Sequence, residues 1–202
     1  MLFHYHFWTP YVEKTENFYT SLGFRVTQRI GRYQGEFRNY NPPLSWADFR
    51  EKGIQFRIIE MKKGAVNLTC GYGKRPKFDH IGFLVTEPEY QGIIGRAREM
   101  NFTIHANNRR TFIGIPFGFR IELQRNRDAV ETVDSPIRLK QLKLISERDG
   151  LQSTLTRLFG EANVPVTVVK GEKTTLASAT LGGLRIDNKP DPNGVLLIKY
   201  QF

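Results

Sequence analysis

Residues 2–8, LFHYHFW, are rich in strand-forming aromatics, and alternation along a strand puts His4, His6 and Trp8 on one face. Thr9-Pro10 then supplies an N-cap residue and a proline at the first helical position. Val12, Phe18, Tyr19 and Leu22 fall near helical spacing, and Gly23 sits where a left-handed residue closes a helix. Residues 24–30 resume strand character, a polar and aromatic stretch follows, and Asn41-Pro42-Pro43 breaks it. Residues 54–61, IQFRIIEM, read as another strand, with Glu60 on the face of Phe56 and Ile58. Residues 62–77, rich in Gly and Lys, read as a linker.

The order then begins again. Residues 78–85, FDHIGFLV, read as a strand, and Pro88 opens a helix in which Tyr90, Ile93, Ile94 and Ala97 repeat at i, i+3, i+4, i+7. Met100-Asn101-Phe102 echoes Leu22-Gly23-Phe24, and strands follow at 103–105, 111–115 and 119–124, with a turn at Pro116-Phe117-Gly118. A third, weaker copy has a strand at 139–146, a helix carrying Leu151, Leu155, Leu158 and Phe159 on one face and stopped by Gly160, and strands at 164–169, 174–180 and 195–202. The turn Asp191-Pro192-Asn193-Gly194 feeds the last of them. The pattern predicts an α+β chain of repeated βαβββ units. Units 1–62 and 77–126 pair within a 1–126 domain, and a third, degenerate unit occupies 137–202. One such sheet leaves a face uncovered; pairing two into a curved mixed sheet closes that face around a cavity.

Composition narrows the chemistry. A chain of 202 residues with 40% hydrophobic content can bury a real core. Its single cysteine, Cys70, excludes an internal disulfide and a cysteine-built zinc site. The start, Met1-Leu2-Phe3-His4, lacks a basic segment followed by a long apolar run, and no stretch has the length of a transmembrane helix, so no membrane partner and a cytoplasmic location are expected. Asn67-Leu68-Thr69 has the form of a glycosylation acceptor, which means nothing without secretion. The net charge of +10 suits an anionic metabolite or an acidic partner. The positive charges are dispersed, with Arg109-Arg110 and Lys74-Arg75 the densest pairs, and no nucleic-acid motif accompanies them, which disfavours nucleic-acid binding.

Histidines and carboxylates recur at matching places in the repeat. His4 and His80 lie in the first strands of units one and two; Glu60 and Glu122 lie in what read as their last strands. Any one alone reads as a hydrogen-bonded core histidine or a solvated glutamate. Repetition changes that, because two imidazoles and two carboxylates converging in a cavity bind a divalent cation: zinc, nickel, iron, cobalt or manganese. Such a site leaves positions for a small-molecule substrate, polarises its oxygens, and lets a loosened Glu60 or Glu122 act as catalytic base.

HYHFWTPYVEKTENFYTSLGF resembles the opening of vicinal-oxygen-chelate proteins (the glyoxalase, bleomycin-resistance and extradiol-dioxygenase superfamily): a strand with His, a helix ending in Phe-Tyr, then Leu-Gly-Phe. FDHIGFLV followed by RRTFIGIPFGFRIELQ resembles its second module, although the family's acidic turn is here Ile115-Pro116-Phe117-Gly118. The resemblance covers residues 1–126 well and 137–202 in outline. It implies metal ligands at His4, His80, Glu122 and Glu60, with His6 a second cavity-facing residue that contacts substrate or packs on Trp8 in the substrate pocket. The third unit presents Gln141 or Lys143 and Lys199 at the corresponding places, none suited to a divalent cation, so a structural, dimerising or substrate-covering role is expected of it. Because the family pairs its modules, an odd number suggests a homodimer through unit three. The four-residue ligand set favours a glyoxalase-like metal-dependent enzyme of lyase or isomerase type acting on a small, oxygen-rich, anionic molecule. An iron(II) dioxygenase, which needs two histidines and one carboxylate, and a metal-free small-molecule binding or antibiotic-resistance protein are the alternatives. Among the last, the basic charge argues against a binder of cationic drugs.

Overall fold

The computed structural model describes residues 1–160 and 164–200; residues 201–202, the end of the last expected strand, lie outside them. The first unit comprises β1 (Leu2–Thr9), α1 (Val12–Ser21), β2 (Arg25–Tyr33), β3 (Glu36–Asn39), the one-turn α2 (Trp46–Phe49), β4 (Gln55–Lys63) and β5 (Val66–Tyr72). The second comprises β6 (Lys77–Leu84), α3 (Glu87–Glu99), β7 (Thr103–Ala106), β8 (Arg110–Gly114) and β9 (Arg120–Gln124). The third comprises β10 (Arg138–Ser146), α4 (Leu151–Phe159), β11 (Val166–Lys170), β12 (Thr175–Gly182), β13 (Lys189–Pro190) and β14 (Leu196–Lys199).

Local chemistry accounts for most boundaries. Thr86 and Glu89 form a reciprocal capping box at the start of α3, with a proline in its first turn. Gly23 closes α1 in the left-handed region at φ 82°. The expected cap of α1 differs: Thr9 ends β1, its hydroxyl accepts the Tyr11 amide at 3.1 Å, and the helix begins only at Val12. Tyr40 and Trp46, in the stretch after β3, pack against Phe49 and Phe56 as part of the core. Arg29 of β2 meets Glu16 of α1 in a buried two-pronged ion pair at 2.8 Å, which fixes that helix on the sheet.

Nine strands form one sheet in the order β3-β2-β4-β5-β1-β6-β9-β8-β7. In each of the first two units the first strand lies parallel to the last, β1 beside β5 and β6 beside β9. The units meet edge to edge through antiparallel β1 and β6, so the two first strands run down the middle of the sheet. The segment 62–77 is not a linker. β4 runs on to Lys63, and β5 inserts between β4 and β1. Val66, Leu68 and Cys70 turn to the core and Asn67 and Thr69 to the concave face, all of them buried; the period-two pattern is present but short, set inside a segment whose glycines and lysines read as a linker.

The third unit keeps the strand–helix–strands order as a secondary module, with its own five-stranded sheet ordered β11-β10-β12-β14-β13. Its β11 pairs directly and in parallel with β10, whereas β7 stands at the far edge from β6 in unit two. Leu142, Leu144, Leu181 and Leu197 are fully buried in the same core as the large sheet. A polar clasp helps to hold the two sheets: Tyr5 and Tyr19 share a hydrogen bond at 2.7 Å, and the Tyr19 hydroxyl donates to Asp191 at 2.8 Å. Tyr5 faces away from His4 and His6 along β1, so unit three backs the sheet on the side opposite those histidines. The substrate-covering role expected of it is therefore corrected. Its apolar face is covered within the chain, and no described residue of the unit lines the cavity described next.

Candidate metal centre

Two bulges position the centre. Along the β1–β6 pairing, Leu2 faces Phe83 and His4 faces Gly82, so Phe3 is an extra residue; His6 faces His80 and Phe7 faces Phe78, so Asp79 is an extra residue. Each bulge immediately precedes a histidine and brings its own side chain onto that histidine's face. Phe3 stacks on His4 at 5.5 Å, and Asp79 bonds His80. The other contributor comes from β9, where Glu122 pairs in parallel register with Gly82. Gly82 is bare for a reason: a Cβ there stands 2.8 Å from that of His4, so any side chain displaces the histidine.

His4, His80 and Glu122 are all buried, and one ligand atom from each lies within 4.8 Å of the others. The Nε2 atoms of His4 and His80 are 3.0 Å apart, and Oε2 of Glu122 is 3.2 Å from His80 Nε2. Outer partners assign the tautomers. The Nδ1–H of His4 donates to the Asn67 carbonyl at 2.8 Å, and that of His80 donates to the Asp79 carboxylate at 2.6 Å. Both Nε2 lone pairs consequently point at each other and at a carboxylate oxygen. Three acceptors at these separations repel, so a proton or a cation must lie among them. Two neutral imidazoles and one carboxylate are a donor set that suits a divalent transition metal, and this observation makes the site a candidate metal centre.

The electrostatics agree. Burial, partly offset by the charge of Glu122, pushes His4 down to about 4, so it is neutral and free to ligate at ordinary pH. Burial by itself raises a carboxylic acid, yet the positive charge of Arg110, together with the hydrogen bond and charges that His80 and His4 offer when protonated, brings Glu122 down to about 2, so it is ionised and draws a cation, whether proton or metal, to the imidazoles. Burial likewise opposes ionisation of Asp79, but its bonds with His80, Arg120 and Trp8 hold it well below the usual carboxylate range.

Glu60 is not brought to the group. It stands on β4, one strand beyond the one that pairs with β1, and its carboxylate accepts from Thr27 at 2.5 Å and Asn67 at 2.9 Å and pairs with Lys62 at 3.3 Å. It lines the cavity and reaches His4 only through Asn67. The place matching Glu122 belongs to Thr69. Two residues past each histidine the first strand pairs with the last, His6 with Thr69 and Gly82 with Glu122. Thr69 bonds His6 Nδ1 at 2.6 Å and touches His4 Nε2 at 3.4 Å. His6 stacks flat on His80 at 5.0 Å and meets Trp8 edge-on at 4.7 Å, and burial lowers its pKa well below the ordinary value. His6 and Trp8 both line the cavity. Asn67, Thr69, Asp79, Gly82 and Arg110 went unnoticed as site residues in the sequence. Only Asp79, adjacent to His80, carried a signal there.

The concave face forms one cavity in two halves that share Gln28, Ile58, Thr69 and Arg110. The half on the Glu60 side has about 360 Å³ and the half on the Trp8 side about 270 Å³, with the ligand residues at the divide. Together they hold a molecule of metabolite size.

No family model matches the chain, and no curated protein matches it in sequence. Solved structures do match in shape. The 2,3-dioxygenase LapB from Pseudomonas sp. KL28 superposes with a TM-score of 0.59 at 14% identity, over 89% of this chain and 73% of that one. Homoprotocatechuate 2,3-dioxygenase from Arthrobacter globiformis gives 0.59 at 11% identity, over 100% of this chain and 80% of its own. A variant of 4-hydroxymandelate synthase from Streptomyces coelicolor gives 0.56 at 8%, over 89% and 70%. At such identities the likeness establishes the fold alone: the chain shares the curved-sheet architecture of these structures, the fold that its sequence resemblance implied.

Proposed function

We propose that this protein is an iron(II)-dependent dioxygenase that cleaves a small molecule bearing two vicinal oxygens, a catechol being the simplest. One observation carries the reading: the centre has two histidines and one carboxylate, with Thr69 where a fourth ligand would stand. That count supports an oxygenase over the glyoxalase-like lyase or isomerase, whose four-residue set would need Glu60. Bound iron(II) would supply open coordination positions for the substrate's oxygens and for dioxygen. The chain's own part is to orient and to exclude water. Asn67 and Asp79 fix the ring orientation of the two histidines, and Gly82 keeps room for His4. Arg110, 3.5 Å from Glu122 and facing both halves of the cavity, offers a positive charge to a deprotonated substrate oxygen. Two 2,3-dioxygenases among the proteins of like shape support this reading.

The test is reconstitution under anaerobic conditions with iron(II), metal counting, and dioxygen uptake with a panel of catechols. One iron per chain and substrate-dependent uptake with a coloured ring-opened product are expected. Iron bound without uptake on any vicinal diol returns the lyase or isomerase reading. No metal at any concentration leaves a metal-free binding protein.

A further inference from the structure

The two halves of the cavity differ in charge balance. On the Glu60 side every cation has a carboxylate partner: Lys62 with Glu60 at 3.3 Å, Arg109 with Asp128 at 3.1 Å and Arg110 with Glu122 at 3.5 Å. On the Trp8 side, with Arg110 already paired to Glu122, Arg57 and Arg120 face a single carboxylate, Asp79. That carboxylate is already committed: Trp8 Nε1 donates to it at 2.9 Å, His80 donates at 2.6 Å, and Arg120 pairs with it. Arg57 is left over. Among the described residues its guanidinium has no hydrogen bond or ion pair, and it lies over the Trp8 ring at 4.6 Å from the centroid.

The platform under Arg57 is rigid. The Trp8 indole is tied to Asp79 at one end and lies against bare Gly71, where a Cβ would come within 2.5 Å of the ring. Across the same half, Phe112 is backed by Arg120 at 4.3 Å. A half lined by Trp8 and Phe112, each with a guanidinium over its ring, and ending at the unpaired Arg57, suits an aromatic molecule with an oxyanion at one end. We propose that the Trp8 side is the recognition half of the cavity. It takes an aromatic substrate bearing a carboxylate, which Arg57 holds while the opposite end reaches His4, His80 and Glu122. Arg57 is then the residue that determines specificity. Which end of the substrate turns inward rests on the dioxygenase reading; the oxyanion site does not.

The experiment compares 3,4-dihydroxyphenylacetate with uncharged 4-methylcatechol by calorimetry on the iron(II)-loaded protein without dioxygen. The carboxylate is expected to improve affinity about tenfold, the ordinary worth of one charge-assisted hydrogen bond at a half-open site. Arg57→Gln removes the preference while iron content and 4-methylcatechol affinity stay unchanged. Arg57→Lys, which keeps the charge, retains part of it, and a purely structural role for Arg57 predicts no such rescue. No preference in the parent protein, or a preference that survives Arg57→Gln, overturns the inference while leaving the dioxygenase reading standing. If the protein takes up no metal, that reading falls and phenylacetate is titrated into the metal-free protein instead. Binding weakened about tenfold by Arg57→Gln then supports the oxyanion site, and equal or absent binding overturns it.

Discussion

The two halves of the large sheet share one geometry and differ in chemistry. Each has a first strand with a bulge followed by a histidine, and each pairs that strand in parallel with its last one. At the bulge unit one has Phe3 and unit two has Asp79. Two residues past the histidine unit one has His6 and unit two has Gly82; on the last strand unit one has Thr69 and unit two has Glu122. The repeat therefore fixes where ligands can stand, and residue identity at three places decides how many there are. Unit two supplies a histidine, its orienting carboxylate and a ligand carboxylate. Unit one supplies a histidine oriented only by the Asn67 carbonyl, and leaves its side of the centre open beside His6 and Thr69. That open side adjoins the half of the cavity with excess positive charge.

Removing the ligand unique to unit two has the largest effect. Glu122→Ala takes away one of three donors and leaves Arg110 without its carboxylate partner. Metal affinity should fall by more than the roughly 10–100-fold that an outer partner contributes, leaving a metal count near zero by elemental analysis. Retention of one metal per chain breaks the assignment of Glu122. Removing the orienting carboxylate ranks next. Asp79→Ala frees the His80 ring and should weaken metal binding about 10–100-fold in competition with a chelator, with the fold kept. An unchanged affinity means that the bulge at Asp79 serves the strand pairing alone.

Much of this was legible in the chain and some was not, for physical reasons. His4, His80 and Glu122 were visible because the units repeat with strong local signals: the alternation of LFHYHFW, the helical spacing of Tyr90, Ile93, Ile94 and Ala97, and the left-handed residue after each long helix, Gly23, Asn101 and Gly160. β5 was missed although Val66, Leu68 and Cys70 alternate with Asn67 and Thr69, because so short a run lies between Lys62-Lys63-Gly64 and Gly71-Tyr72-Gly73, whose glycines and lysines read as a linker, and its polar residues look outward only until the cavity above them is known. Counting one strand short made β4 the last strand of unit one, which put Glu60 in Glu122's role. The bulges were equally hidden, since a bulge exists only relative to a partner strand. In unit three the helix and strands could be read, but periodicity does not say which strands are neighbours, and the pairing of β11 with β10 followed from none of it.

The symmetric partner of Glu122 gives a sharper test with a smaller effect. Thr69→Val removes the hydroxyl that His6 Nδ1 bonds at 2.6 Å, and His6 Nε2 already has no partner among the described residues. A buried imidazole with neither nitrogen satisfied costs about 1–3 kcal/mol, which thermal or denaturant unfolding reads directly. Metal count should stay at one per chain. A loss of metal instead makes Thr69 a ligand and restores four-point symmetry to the centre.

The smallest effect belongs to the glutamate that looked like a ligand. Glu60→Gln keeps the length of the side chain and an oxygen for Asn67, while Thr27 can turn its hydroxyl to accept instead. Lys62 loses a half-buried partner at 3.3 Å, so a stability change under about 1 kcal/mol is expected. Metal count and metal identity should not move, because two hydrogen bonds and the Asn67 backbone separate Glu60 from the ring of His4. A drop in metal content would mean that β4 bends inward on loading and delivers a fourth ligand. The halves of the sheet would then be chemically alike after all, and lyase or isomerase chemistry would replace the oxygenase as the better reading.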